Sequence, residues 1–201
     1  MKKRSLIFNI LIILSVITVT FAAESFTDIK LDIIPLFQRD YPKVLFTLKG
    51  KDRSVALSGC GAICVSMIIG YFKPEIQQSP ETLLTKVYED KLYRGYGLSQ
   101  KALMHLLSIY DIEYKWCQMG KKGIRDTLKN GSPIIAYMGK GRFTNNGHYI
   151  LITGINSSNM VTIIDPNNRQ KSERTYPISL ILRESVGSLP YIACYGPANK
   201  K

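Results

Sequence analysis

Residues 62–69 read Ala-Ile-Cys-Val-Ser-Met-Ile-Ile, and Tyr71-Phe72 carry the apolar run to the edge of Pro74. A helix with no polar face is stable in water only when other layers cover it all round, so this segment fixes the centre of the fold. Further helices follow it. Ser79-Pro80-Glu81 predicts one running to about Asp90, with Ser79 as N-cap and Pro80 at the first helical position. Ser99 caps the next, Gln100–Ile109, whose Leu103, Leu106 and Leu107 form one stripe. A short one near Ile124–Lys129 stops at Asn130-Gly131, where glycine accepts the left-handed turn that ends a helix.

After Pro133 the period changes to two. Ile134–Met138, Tyr149–Ile155, Met160–Asp165 and Leu189–Tyr195 are predicted strands, separated by turns rich in glycine, serine and asparagine. Upstream of the buried helix, Ile33–Phe37 predicts a strand or an extended arm, Val44–Leu48 a short strand and Lys49–Asp52 a turn. Helices first and an antiparallel sheet afterwards define an α+β domain.

The N-terminus has its own logic. Lys2-Lys3-Arg4 precede an apolar stretch from Leu6 to Ala23, and Thr20-Phe21-Ala22 places small residues where a signal peptidase reads. Residues 1–23 are expected to be a secretory signal cleaved after Ala22 or Ala23. The alternative is a retained anchor, since the run approaches the ~18–20 residues of a membrane span. Either way residues 24–201 would lie outside the cytoplasm as a single domain, expected to be a monomer. Losing the segment's three basic residues lowers the net charge from +12 to +9. The remaining cations are scattered, with no basic stripe and no interleaved aromatics, so no nucleic-acid partner is expected. Four cysteines are too few for a stapled scaffold, and the pairing of Cys117 with Cys194 stays open. Cys60 and Cys64 are not a C-x-x-C pair and only two histidines exist, so neither metal nor other cofactor is expected.

The chemistry concentrates at the start of the buried helix. Cys60 stands between Gly59 and Gly61, where backbone approaches closely and unpaired helix N–H groups favour a thiolate. A nucleophile of this kind needs a base, and the base an orienting group. His105, inside a leucine-rich helix, reads as structural, whereas His148 follows Asn145-Asn146-Gly147 and enters a strand. If Tyr149–Ile155 and Met160–Asp165 pair through a two- or four-residue connection with Asn156 opposite Asn159, Ile150 falls opposite Asp165. His148 and Asp165 are then diagonal neighbours on one face, about 7–8 Å apart. A three-residue loop would put them on opposite faces. Read alone, Asp165-Pro166-Asn167-Asn168 is a turn. Gly139-Lys140-Gly141 predicts a flexible approach to His148, and Tyr93-Arg94-Gly95-Tyr96-Gly97 a surface loop or the lining of a groove.

Gln38, Ser58-Gly59-Cys60-Gly61, Gly147-His148-Tyr149 and Ile164-Asp165-Pro166, in that order, resemble the cysteine peptidases of the double-glycine leader peptidase family and its exported relatives. The resemblance spans roughly Ile33 to Tyr195. It implies a papain-like fold and a peptide or protein substrate. Cys60 would be the nucleophile, His148 its base, Asp165 the orienter and Gln38 an oxyanion donor beside the Cys60 amide. Two features depart from the family: Ala62-Ile63 follow Cys60-Gly61 where proline and a small hydroxyl residue are usual, and Cys64 replaces a small residue and is expected to be packing. Members of that family fused to a transporter cut after Gly-Gly. The sequence is expected to lack a transporter domain and to carry an export signal, so that substrate is not carried over. An acyl transferase using the same site and a catalytically silent peptide-binding module are the competing expectations.

Overall fold

The computed structural model describes residues 27–95 and 97–197, so the segment expected over residues 1–23 lies outside the described residues. The chain enters as β1 (Ile29–Lys30) and continues extended to a 3-10 turn at Gln38–Asp40. Ile33 and Phe37 are buried while Ile34 is 78% exposed, so the arm form is what exists here. Then β2 (Phe46–Leu48) pairs antiparallel with β3 (Lys51–Arg53), Leu48 opposite Lys51. The two linking residues, Lys49 and Gly50, have φ of 51° and 71°, which matches the twist of a tight hairpin. Lys51 and Asp52, expected in the turn, therefore belong to a strand.

A short helix α1 (Val55–Ser58) leads through Gly59 into α2 (Cys60–Phe72). Every residue from Gly61 to Ile69 is buried, as a helix apolar all round requires. It is covered by α3 (Pro80–Glu89) and α4 (Gln100–Ile109), both ending where the sequence indicates. The caps form: Ser79 Oγ accepts from the Thr82 N–H at 3.1 Å and Ser99 Oγ from the Ala102 N–H at 3.2 Å. Strand β4 (Ile112–Cys117) and the earlier start of α5 (Lys121–Lys129) were not legible. The first is an edge strand carrying Glu113 and Lys115, and the second opens on two solvent-facing lysines.

The remaining elements are β5 (Ile134–Met138), β6 (His148–Ile155), β7 (Met160–Ile164), α6 (Arg169–Ser172), β8 (Thr175–Pro177), α7 (Ile178–Glu184) and β9 (Tyr191–Pro197). They complete an antiparallel sheet of order β4-β9-β5-β6-β7-β8, with β1 also on β6. Both faces of the sheet are covered. Ile135, Tyr149, Leu151 and Ile192 pack toward α2, while Ile134, Ala136, Ile150 and Ile152 pack with Ile124 and Leu128 of α5 and Ile181 of α7. Period two sorts the side chains between the two cores. The result is an α+β, papain-like architecture. Among the described residues no helix is long and apolar enough to cross a membrane.

Candidate active site

Cys60 is the first residue of α2, partly exposed at the floor of a cleft of about 1010 Å³ that Gln38, His148, Tyr149 and Asn167 also line. The glycines on either side have packing reasons. A Cβ on Gly59 would stand 2.7 Å from the Val55 Cα and carbonyl oxygen. One on Gly61 would stand 2.9 Å from Leu103 Cδ1 and 3.2 Å from Leu98 Cβ. Without side chains at these places the helix start can be pressed against α1 and the loop before α4.

His148 opens β6, and its Nε2 lies 2.7 Å from Asp165 Oδ1. The two were brought together by a different register from the one expected. Asn156 is not opposite Asn159: the Asn156 N–H donates to the Met160 carbonyl and the Asn159 N–H to the Asn156 carbonyl, with Asn159 at φ 61°. That is a three-residue connection, a type I turn followed by a left-handed residue, and it sets Ile155 opposite Val161. Alone it would separate the pair onto opposite faces. A bulge between Ile152 and Gly154 adds one residue to β6, after which Ile152 faces Ile163 and Leu151 faces Ile164. Continued by one step, this register sets Ile150 beside Asp165, so two one-residue shifts cancel. Alternation still assigns His148 to the face of Ile150, which belongs to the core away from α2. Because it is the strand's first residue, its ring nevertheless reaches Cys60.

Asp165 is completely buried, just beyond β7. Its Oδ1 also accepts from the Asn167 N–H at 2.9 Å, its own N–H donates to Ser172 Oγ at 2.9 Å, and Lys171 Nζ stands 4.0 Å from Oδ2. The Asn168 N–H donates to the Asp165 carbonyl, so the turn and the histidine partner are one structure. The supports Lys171 and Ser172 lie on α6, whose only sequence signal is its N-cap, Asn168 Oδ1 accepting from the Lys171 N–H at 2.9 Å. Gln38 is held by the same corner: its N–H donates to the Pro166 carbonyl at 2.8 Å. Its side-chain Nε2 donates to the Val55 carbonyl at 3.0 Å.

The electrostatics follow from these contacts. Burial pushes the Cys60 thiol up, but the hydrogen bond and charge of His148, with the backbone at Tyr149 and Gly61, outweigh it and leave the thiol more acidic than usual. Burial pushes the His148 imidazolium down. The Asp165 and Cys60 contacts reverse this and raise it to about 9. Since Asp165 occupies Nε2, Nδ1 is the ring nitrogen that serves the sulfur. An imidazolium and thiolate held together in this way form a nucleophile at neutral pH.

Other expectations resolve differently. His105 Nε2, on α4, sits 2.7 Å from Oδ2 of Asp90 at the end of α3, a structural contact outside the cleft lining. Gly139-Lys140-Gly141 is not a flexible approach: the Gly139 N–H donates to the Glu184 carbonyl, the Gly141 N–H to the Thr144 carbonyl, and the Arg142 N–H to Glu184 Oε2, each at 2.7–2.8 Å. In the loop before α4, Tyr93 is buried and Arg94, Gly95 and Gly97 line the cleft, while Tyr96 lies outside the described residues. Cys64 is buried, and burial pushes its thiol well up. All four cysteines are free. Cys194 faces Tyr114 and Cys117 faces Tyr191, three rungs apart along one strand pair and too far for a bridge. Among the described residues no cluster of three or more His, Cys, Asp or Glu side chains could hold a metal.

A family model described as Peptidase_C39 like family matches residues 30–191. Among solved structures, one described as a C39-like peptidase from Bacillus anthracis superposes with a TM-score of 0.59 at 14% identity, covering 84% of this chain and 97% of that one. The peptidase domain of Streptococcus ComA, a bifunctional ABC transporter involved in a quorum-sensing pathway, gives 0.48 at 17% identity, covering 69% and 91%. A double-glycine motif protease from an AMS/PCAT transporter, solved with its leader peptide, gives 0.43 at 20% identity, covering 80% and 96%. No curated protein matches the chain.

Proposed function

The chain belongs to the Peptidase_C39 like family, and on that premise we propose that it is a cysteine peptidase in which Cys60, His148 and Asp165 carry the reaction and Gln38 assists. The observation behind this reading is the continuous contact from buried carboxylate through imidazole to thiol at the floor of an open cleft. The Cys60 thiolate attacks the scissile carbonyl, forming a C–S bond while the carbonyl oxygen becomes an oxyanion. That oxygen is met by the Cys60 backbone N–H and by the Gln38 side-chain amide once it turns from the Val55 and Ala56 carbonyls. The Nδ1 proton of His148 passes to the departing amine as the C–N bond breaks. His148 then takes a proton from water, the hydroxide attacks the thioester, and acid is released with the thiolate restored. Asp165 holds the ring so that one nitrogen always faces the sulfur.

The same reading has residues 1–23 deliver the domain outside the cytoplasm. The test of the chemistry is cleavage of a peptide pool followed by mass spectrometry. Wild type should yield free acids, Cys60→Ala none, and Asp165→Asn a rate reduced about a hundredfold or more, because the tautomer is no longer enforced. Cleavage surviving in Cys60→Ala would end the proposal. Binding without cleavage by wild type would favour a silent binder, and products joined to an added amine would favour an acyl transferase.

A further inference from the structure

The cleft is charged with one sign. Arg94, in the loop between α3 and α4, and Lys101, in the first turn of α4, line it, and among the described residues no aspartate or glutamate does. Both are exposed. Among the described residues neither has a carboxylate within ion-pair distance, although Lys73, Lys86, Lys122 and Arg169 all have one.

Lys101 stands in the first turn of its helix, as Lys121 and Lys122 do on α5. The start of a helix carries partial positive charge and ordinarily attracts Asp or Glu, as Glu81 illustrates on α3. The first turn of α4 has no acidic residue and places a lysine there instead. The positive ends of side chain and helix therefore add, and Arg94 adds to both. This arrangement is unfavourable in the empty cleft and becomes favourable when an anion enters.

The backbone that carries the cations is held close to the start of α2. Leu98 packs directly against Gly61, since a Cβ there would meet it at 3.2 Å, and a Cβ on Gly97 would stand 3.8 Å from the Ser58 carbonyl oxygen. Ser99 caps α4 and so holds the helix start that carries Lys101. Thr144, Asn146 and Asn167, which also line the cleft, are polar but uncharged.

We infer that the site takes peptides bearing an acidic residue on the side of the scissile bond that faces Arg94 and Lys101. Catalysis of their cleavage rests on the peptidase reading above; their binding does not. Exposed ion pairs are individually weak, so the discrimination is about three- to fivefold per cation and roughly tenfold for both in dilute salt. It fades as the screening length falls from ~30 Å at 0.01 M to ~3 Å at 1 M salt.

The experiment uses the full chain carrying Cys60→Ala, so that bound peptides stay intact, and a random peptide pool at about 0.01 M salt. Asp and Glu should be enriched several-fold over Asn and Gln in the retained peptides, at positions on one side of the centre. Arg94→Glu with Lys101→Glu, both at exposed positions that leave the fold intact, should abolish that enrichment and retain Lys and Arg peptides instead. The unmodified enzyme should then cleave the selected acidic peptides with kcat/KM roughly tenfold above their amide counterparts. Absent enrichment, or enrichment that the charge reversal leaves unchanged, overturns the inference. Enrichment without cleavage by the unmodified enzyme upholds the acidic preference and removes the peptidase reading.

Discussion

At the level of single residues the proposed function turns on a proton shared between Cys60 and His148. The thiol is more acidic than usual and the imidazolium titrates near 9, so the ion pair exists in the window between them. As pH falls below the Cys60 value the sulfur takes a proton and attack stops. As pH rises through about 9, His148 loses the proton that the leaving amine needs. The kcat/KM profile should therefore be a bell with its alkaline limb near 9. Iodoacetamide at neutral pH should modify Cys60 far faster than Cys117, whose thiol burial pushes up. In His148→Ala that advantage should vanish. Equal rates at Cys60 and Cys117 in the native protein would contradict the ion pair. Cys60 and His148 were readable from their neighbours: glycines around a cysteine before an apolar helix, and a glycine before a histidine entering a strand. Lys171 and Ser172 were not, because a lysine and a serine on a four-residue helix have no pattern that distinguishes a support from a solvated face.

At the level of elements, two junctions decide the geometry. The first is the break between α1 and α2 at Gly59, where an added Cβ would press on Val55 backbone, which has nowhere to go. At Gly61 the nearest atom is the tip of Leu103, which can turn aside. Gly59→Ala should therefore lower unfolding stability by about 1–3 kcal/mol and Gly61→Ala by distinctly less, measured by urea denaturation. Equal effects would mean that the helix start relaxes more freely than this packing allows. The second junction is the β6–β7 hairpin. Strand identity and the pairing of β6 with β7 follow from alternation, but the left-handed Asn159 and the bulge at Thr153 leave no mark in it. Each shifts the register by one residue in compensating directions. The diagonal relation of His148 and Asp165 was thus correctly anticipated through an incorrect turn.

For the molecule as a whole, the sheet is clasped between two cores, and β1 adds to the same edge of β6 that β5 leaves free, with Ile29 opposite Ile155. The described chain joins the sheet at Ile29, a few residues after the cleavage point expected from the sequence. Protein recovered from the medium should begin at Ala23 or Glu24 on N-terminal sequencing. A chain that starts at Met1 and sediments with membranes would make residues 1–23 an anchor. The amino-acid sequence by itself determined the layers: a helix apolar on every side must be enclosed, and period-two segments must form the sheet that encloses it, because burial depends on the pattern of side chains more than on their partners. It also marked Cys60 and His148 as the candidate cysteine and histidine. Only the tertiary structure decided that the imidazole at one strand end meets a thiol at a helix start, that an unforeseen helix secures the aspartate, and that two unpaired cations face the same cleft. Those relations join residues far apart along the chain, and no local periodicity encodes the direction in which a side chain at the end of an element will point.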